Sequence, residues 1–261
     1  MANGLIRGLI AKGTRPENIW ASDFDESKLK LLSQDCGICT GNNSDIASNA
    51  NVIVLAVKPQ VMRDVCKALA ADLDRRGALL VSIAAGITTA HLESWFGESA
   101  AIVRCMPNTP ALVGMGASGL FANARVTEEQ KLLAQGIIST VGFATWVDAD
   151  SDIDIVTAVS GSGPAYFFLF MEAMQATAKE MGLSEDLARA LTYHTAAGAA
   201  ALAQYSEDDI ATLRRNVTSP GGTTEQAILQ FEDGDLRGLV AKALKAARTR
   251  SVELAEETDS T

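Results

Sequence analysis

VIVLAVKPQ (52–60) joins an unbroken apolar run to a turn. Six consecutive apolar residues, three of them valine, make a strand buried on both faces, as in a parallel sheet covered by helices. Lys58-Pro59-Gln60 then turns the chain into a helix. The same arrangement recurs at ALLVSI (78–83), which runs into Ala84-Ala85-Gly86, and at AIVRCM (101–106), which runs into Pro107-Asn108-Thr109-Pro110. IWAS (19–22) and FATWV (143–147) are further strands. Helical stretches at 25–35, 60–71 and 88–96, and TEEQKLLAQGIISTVG (127–142), separate them. Strands alternating with helices predict an α/β fold over residues 1–150, a Rossmann-like doubly wound parallel sheet.

Past residue 151 the pattern changes. DIDIVTAVSGSGPAYFFLFMEAMQATAKEMG (152–182), SEDLARALTYHTAAGAAALAQ (184–204) and two further helical stretches contain no convincing strand. Residues 151–261 therefore read as a second, all-α domain. Its Ala-rich, nearly all-round apolar helices suggest burial against a partner chain as well as their own. PAYFFLFMEAM (164–174) is the longest apolar run and is interrupted by Glu172, so it reads as a buried helix and not as a membrane span.

The 261 residues carry a formal net charge of −10, with 48% hydrophobic and 21% charged residues. That balance argues against a nucleic-acid binder, which needs clustered Lys and Arg. The N-terminus has no basic-then-apolar leader, which places the protein in the cytoplasm. Cys36-Gly37-Ile38-Cys39 spells C-x-x-C, a redox or metal pair in some settings. Here Gly37 reads as a helix cap and Ile38 as the start of a strand, so packing is the preferred reading and no metal is expected.

In a doubly wound sheet, ligands bind beyond the carboxyl ends of the strands. Each of the three strand ends at Lys58-Pro59, Ala84–Gly86 and Asn108 is acceptable as a plain turn, but together they mark one edge of one sheet. Two loops of the helical domain add to them. In Ser160-Gly161-Ser162-Gly163-Pro164, Ser162 is a candidate N-cap and Pro164 falls in the first turn. Thr218-Ser219-Pro220-Gly221-Gly222-Thr223-Thr224-Glu225-Gln226 has two readings of equal weight: a well-capped helix with Thr223 and Gln226 as a capping box, or a cradle for a carboxylate. There is no P-loop, no G-x-S-x-G and no H-E-x-x-H, and the only histidines are His91 and His194, both inside predicted helices. A sheet of this type without strong acid–base groups fits a reaction whose difficult step belongs to a cofactor.

Taken together, NVTSPGGTTEQAI (216–228), VSGSGPAYFF (159–168), AVKPQ (56–60), SIAAGI (82–87) and MPNTPALVG (106–114) resemble the Δ1-pyrroline-5-carboxylate reductase family over essentially the whole chain. The resemblance implies NADP(H)-dependent reduction, with NAD(H) also accepted, of 1-pyrroline-5-carboxylate to L-proline, the last step of proline biosynthesis. It implies a cofactor site at Ser22, Asn43, Ala56, Val57, Lys58, Pro59, Ala84, Ala85, Gly86, Asn108 and Asn216. It implies a substrate site at Glu207, Ser219, Gly222, Thr223 and Thr224, with the Thr224 hydroxyl nearest the imine nitrogen. It also implies a homodimer with interlocked helical domains, each site drawing on both chains, and larger rings of dimers. Strand IWAS ends at Ser22-Asp23, where an Asp accepts from a ribose 2′-hydroxyl and repels a 2′-phosphate, so NADPH use with appreciable NADH activity is expected.

In MANGLIRGLIAKG (1–13), Leu5, Ile6, Leu9 and Ile10 repeat at helical spacing. In the family such a helix follows a strand and a glycine-rich turn, and Met1-Ala2 aligns with the end of that turn. The expectation is that a segment of about ten to twelve residues is lacking and that cofactor binding is weakened accordingly. A non-catalytic or cofactor-impaired binding protein of the same descent is the alternative. A β-hydroxyacid-type reductase would want a lysine within the SGSGPAYFF or TSPGGTTEQ stretches, and neither has one.

Overall fold

The computed structural model describes residues 1–73 and 77–259. The chain divides into two compact units, one formed by residues 1–162 together with residues from 246 onward, the other by 163–245. By contact, therefore, the first unit reaches beyond the composition change at 150 and includes the end of the chain.

In the first unit, β1 (Trp20–Ala21) and β2 (Cys39–Thr40) form a short parallel ladder. β3 (Val52–Leu55), β4 (Leu79–Ser82), β5 (Ile102–Met106), β6 (Gly116–Ala122) and β7 (Gly142–Trp146) make a five-stranded sheet in that order. No ladder joins the two sheets among the described residues. The helices are α1 (Ala2–Ala11), α2 (Glu26–Cys36), α3 (Asn43–Asn49), α4 (Pro59–Leu73), α5 (Thr89–Phe96), α6 (Glu128–Ile138) and α7 (Asp152–Val156).

Strand alternation sorts the apolar side chains to the two faces. Ile53, Leu55, Leu80 and Ile102 pack with α4 and α5 residues such as Met62, Cys66 and Leu92. Leu79, Val81, Val103 and Cys105 pack on the other side with Leu5, Ala134 and Ile138. Continuous apolar strands are thus consumed on both faces, as expected of a covered sheet. Arg104 is the exception, a guanidinium only 1% exposed.

Three expectations change. The sheet is mixed, because β6 runs antiparallel to β5. Its sequence, GASGLFA, has too little apolar and β-branched content to read as a strand. Small residues are needed there because a Cβ on Gly119 would lie 2.7 Å from the Val156 side chain. Second, Ser162 does not cap a new helix. It keeps right-handed helical dihedrals (φ −85°, ψ −21°), and a π-helical turn at Thr157–Gly161 carries α7 into the next helix. The strands are also shorter at their ends than the apolar runs, so Ala56 and Val57 follow β3 instead of lying in it.

The second unit holds α8 (Gly163–Glu180), α9 (Glu185–Tyr205), α10 (Ile210–Asn216), α11 (Thr223–Asp233) and the start of α12 (Leu236–Asp259). Reading PAYFFLFMEAM as buried fails within a single chain: Phe167, Phe168 and Leu169 are 61–68% exposed. The helical run 152–180 has the length and composition to cross a membrane, although Glu172 lies within it.

Candidate functional site

β1 runs parallel to β2, and β3, β4 and β5 run parallel to one another, so within each ladder the residues that follow the strands gather at one edge. After β1 come Ser22 and Asp23. Ser22 Oγ donates to Asn43 Oδ1 at 2.8 Å, so these two expected cofactor residues do meet. Asn43 is the first residue of α3, held there by Asn42, whose side chain forms a capping box with Asp45. Asp23 Oδ1 accepts from the Asp25 backbone at 3.0 Å. Hydrogen bonds from Ser27 and Lys28 hold the Asp25 carboxyl down at about 2, and Lys28 Nζ lies 3.2 Å from it. Lys28 is therefore engaged by Asp25.

Ala56, Val57 and Lys58 form the turn after β3, and Pro59 opens α4. After β4, Ala84 is buried and Gly86 takes φ +74°, a conformation that glycine adopts without strain. A Cβ at Gly86 would also lie 3.1 Å from Leu254 of α12. Ser22, Asn43 and Asp23 present hydroxyl, amide and carboxylate groups, the donors and acceptors a ribose takes. The residues present therefore fit the ribose end of a nicotinamide dinucleotide.

Asn108 behaves differently from the other expected cofactor residues. It is 8% exposed, Nδ2 donates to Ser160 O at 3.0 Å, and Oδ1 accepts from Ala117 N at 2.9 Å. One N–H and one lone pair of its amide are thus engaged inside the unit. His91 is also structural in its placement: its Nδ1 accepts from Thr88 N at the start of α5.

In the second unit the expected substrate residues Glu207, Ser219, Gly222, Thr223 and Thr224, and the expected cofactor residue Asn216, lie around α10 and the start of α11. Glu207 lies in the short connection between α9 and α10, and Asn216 ends α10, with Nδ2 3.5 Å from Asp208 Oδ2. Thr218 Oγ1 donates to Arg214 O, closing the turn into Ser219. Gly221 takes φ +71°, and Gly222 is the N-cap of α11 with no side chain capping the helix. The Thr223–Gln226 capping box is therefore absent. The reason is that the cap position falls one residue earlier, on a glycine. Glu225 instead folds back to accept from Gly221 N at 2.8 Å. The first-turn N–H groups of α11 point out of an uncapped helix start flanked by the Thr223 and Thr224 hydroxyls, an arrangement suited to a carboxylate.

A family model described as pyrroline-5-carboxylate reductase dimerisation matches residues 150–254, and one described as NADP oxidoreductase, coenzyme F420-dependent, matches residues 1–86. A pyrroline-5-carboxylate reductase of Pseudomonas aeruginosa is 50% identical over 98% of this chain and 94% of its own length. A solved pyrroline-5-carboxylate reductase from Coxiella burnetii superposes with TM-score 0.94 at 46% identity, covering 97% of this chain and 94% of that one. The Plasmodium falciparum enzyme, solved with NADP bound, gives TM-score 0.85 at 29% identity over 97% of this chain and 93% of that one. With relatives at this identity matched over nearly their whole length, and the dimerisation model matched over residues 150–254, the chain belongs to the pyrroline-5-carboxylate reductase family.

Proposed function

We propose that this chain reduces 1-pyrroline-5-carboxylate to L-proline as a cytoplasmic homodimer, with NADPH as the preferred cofactor and NADH accepted. The observation that carries the substrate assignment is the uncapped start of α11 behind Gly221-Gly222, with two threonine hydroxyls beside it. The substrate is a small cyclic imine with one carboxylate. Backbone N–H groups at 222–224, with Ser219 and Thr223, hold that carboxylate, Glu207 adds to the same pocket, and Asn216 contacts the nicotinamide half of the cofactor. The Thr224 hydroxyl holds the imine nitrogen and its proton. A protonated imine is already electrophilic, so a hydroxyl suffices where a ketone would need a stronger acid. The reduced nicotinamide supplies the hydride. Ser22 and Asn43 hold the ribose, and the backbone at Ala56–Pro59 and Ala84–Gly86 borders the rest of the cofactor. The exposed apolar faces of α8 and α9 form the dimer contact.

The test is to supply the chain with 1-pyrroline-5-carboxylate and either NADPH or NADH, and to measure proline formed against cofactor oxidised. One proline per NADPH oxidised, with a slower reaction in NADH, is expected. Cofactor binding without proline would replace this reading with that of a binding protein.

A further inference from the structure

β5 sends alternate side chains to opposite faces of the sheet. Val103 and Cys105 join the core with α1 and α6, while Arg104 and Met106 point the other way. Asn108, two residues on, keeps extended dihedrals (φ −136°, ψ 169°) and continues the alternation. All three residues meet one segment, 150–161. Arg104 Nη1 donates to Asp150 Oδ2 at 2.9 Å, and its Nη2 lies 3.4 Å from Asp154 Oδ1. A Cβ on Gly161 would sit 2.5 Å from the Met106 methyl carbon, so the two are in close contact. Asn108 Nδ2 donates to Ser160 O at 3.0 Å.

That last bond meets a specific need. The Ser160 carbonyl would ordinarily accept from the backbone N–H four residues on, at position 164. Position 164 is proline, which has no N–H. The helix adjusts with a π-helical turn, closed by Ser162 N donating to Thr157 O at 2.8 Å. Such turns are often found at functional sites. Asn108 supplies the donor that Pro164 lacks, and anchors itself through Ala117 N on β6. Ser160 is fixed a second time by its own hydroxyl, which donates to Val156 O at 3.0 Å.

We propose that Asn108 is a positioning residue for the reduction. It acts through the turn that its amide holds. It braces the π-helical turn at the carboxyl end of β5, the sheet edge where the cofactor is placed, so that the Ser160–Ser162 backbone presents a fixed wall to the reacting ring. The proposal rests on the function proposed above, and its test carries a readout independent of that function.

The variants are Asn108→Ala, Pro164→Ala and the two combined. In the combination, the restored backbone N–H at position 164 replaces the lost amide donor. Hydrogen exchange of amides 157–167 is read alongside kcat and both KM values. Asn108→Ala should speed exchange in this segment and lower kcat by roughly tenfold, with both KM values nearly unchanged. The combined variant should recover much of both, short of the parent because Ala117 N still lacks its acceptor. Asn108→Asp keeps the acceptor for Ala117 N and regains a donor only when protonated, so its kcat relative to the parent should rise as pH falls. Unchanged exchange in Asn108→Ala, or a lowered kcat that Pro164→Ala does nothing to restore, overturns the proposal. A parent chain that forms no proline overturns the function, and the exchange result then decides the bracing by itself.

Discussion

The two units solve the problem of burial in different ways. In the first, Leu79, Leu80, Val81, Ile102 and Val103 are each at most 1% exposed, and the sheet is covered on both faces by its own helices. In the second, Phe167, Phe168, Leu169, Tyr205 and Ile210 lie open although their helices are well formed. The sheet unit therefore carries its core within one chain. The helical unit leaves apolar surface open, and in the dimer proposed above a second copy covers it. Stability of the first kind is independent of concentration, whereas stability of the second kind is set by mass action.

Substitutions can break this contrast. Leu80→Ala should cost ~2–5 kcal/mol at any protein concentration, read by denaturant unfolding, and leave the dimer intact. Phe168→Asp should instead weaken the dimer by about tenfold or more, read by sedimentation, with the sheet's near-native signature retained. If Phe168→Asp leaves association unchanged, α8 is not the contact face. The contrast extends to ligands. Thr224→Ala should raise the substrate KM by roughly tenfold to a hundredfold, the loss of one bond to a charged group, and leave the NADPH KM near its parent value. Asp23→Ser should do the reverse, moving the NADPH-to-NADH preference by about fivefold toward NADPH without altering the substrate KM.

The smallest expected effect is confined to the sheet core. Burial pushes the thiols of Cys66 and Cys105 from 9.0 up to about 12. The native state therefore keeps its protons where the unfolded chain loses them. Stability from these groups is whole below pH 9 and falls as pH rises between 9 and 12. Near pH 9.5 the loss should be on the order of 1 kcal/mol or less per thiol, and Cys66→Val should remove its share from the melting temperature's pH dependence. The same burial predicts that alkylation of the folded protein labels Cys36 and Cys39 and spares the other two.

Much of this organisation is legible from residues alone, for reasons that differ by element. β3 and β4 announce themselves because a strand buried on both faces must be apolar at every position. β6 does not, because its neighbours demand small residues, and Gly116 and Gly119 are written for close approach and not for strand propensity. The helix boundary at Ser162 misleads because serine before glycine and proline usually begins a helix, whereas here the π-helical turn absorbs the proline. The cap of α11 shifts by one residue because Gly222 can occupy that position as readily as Thr223. The inward turn of Asn108 had no local signal at all. It depends on a carbonyl more than fifty residues away in sequence, although the proline that orphans that carbonyl is visible at position 164.

The shortness of the β1–β2 ladder has a consequence for how the molecule breathes. Only two residue pairs hold β1 to β2, over a small apolar cluster centred on Ile6, Ile19 and Ile38. A layer held by so few pairs needs less free energy to open locally than the main core does. Ser22 and Asn43, the proposed ribose contacts, lie on that layer. A dinucleotide that binds only the closed form then acts as a clasp, adding RT ln(1 + [L]/Kd) to the layer's local unfolding free energy. Protease cleavage around residues 20–45 should accordingly fall as cofactor concentration rises, while cleavage within the helical unit follows protein concentration instead.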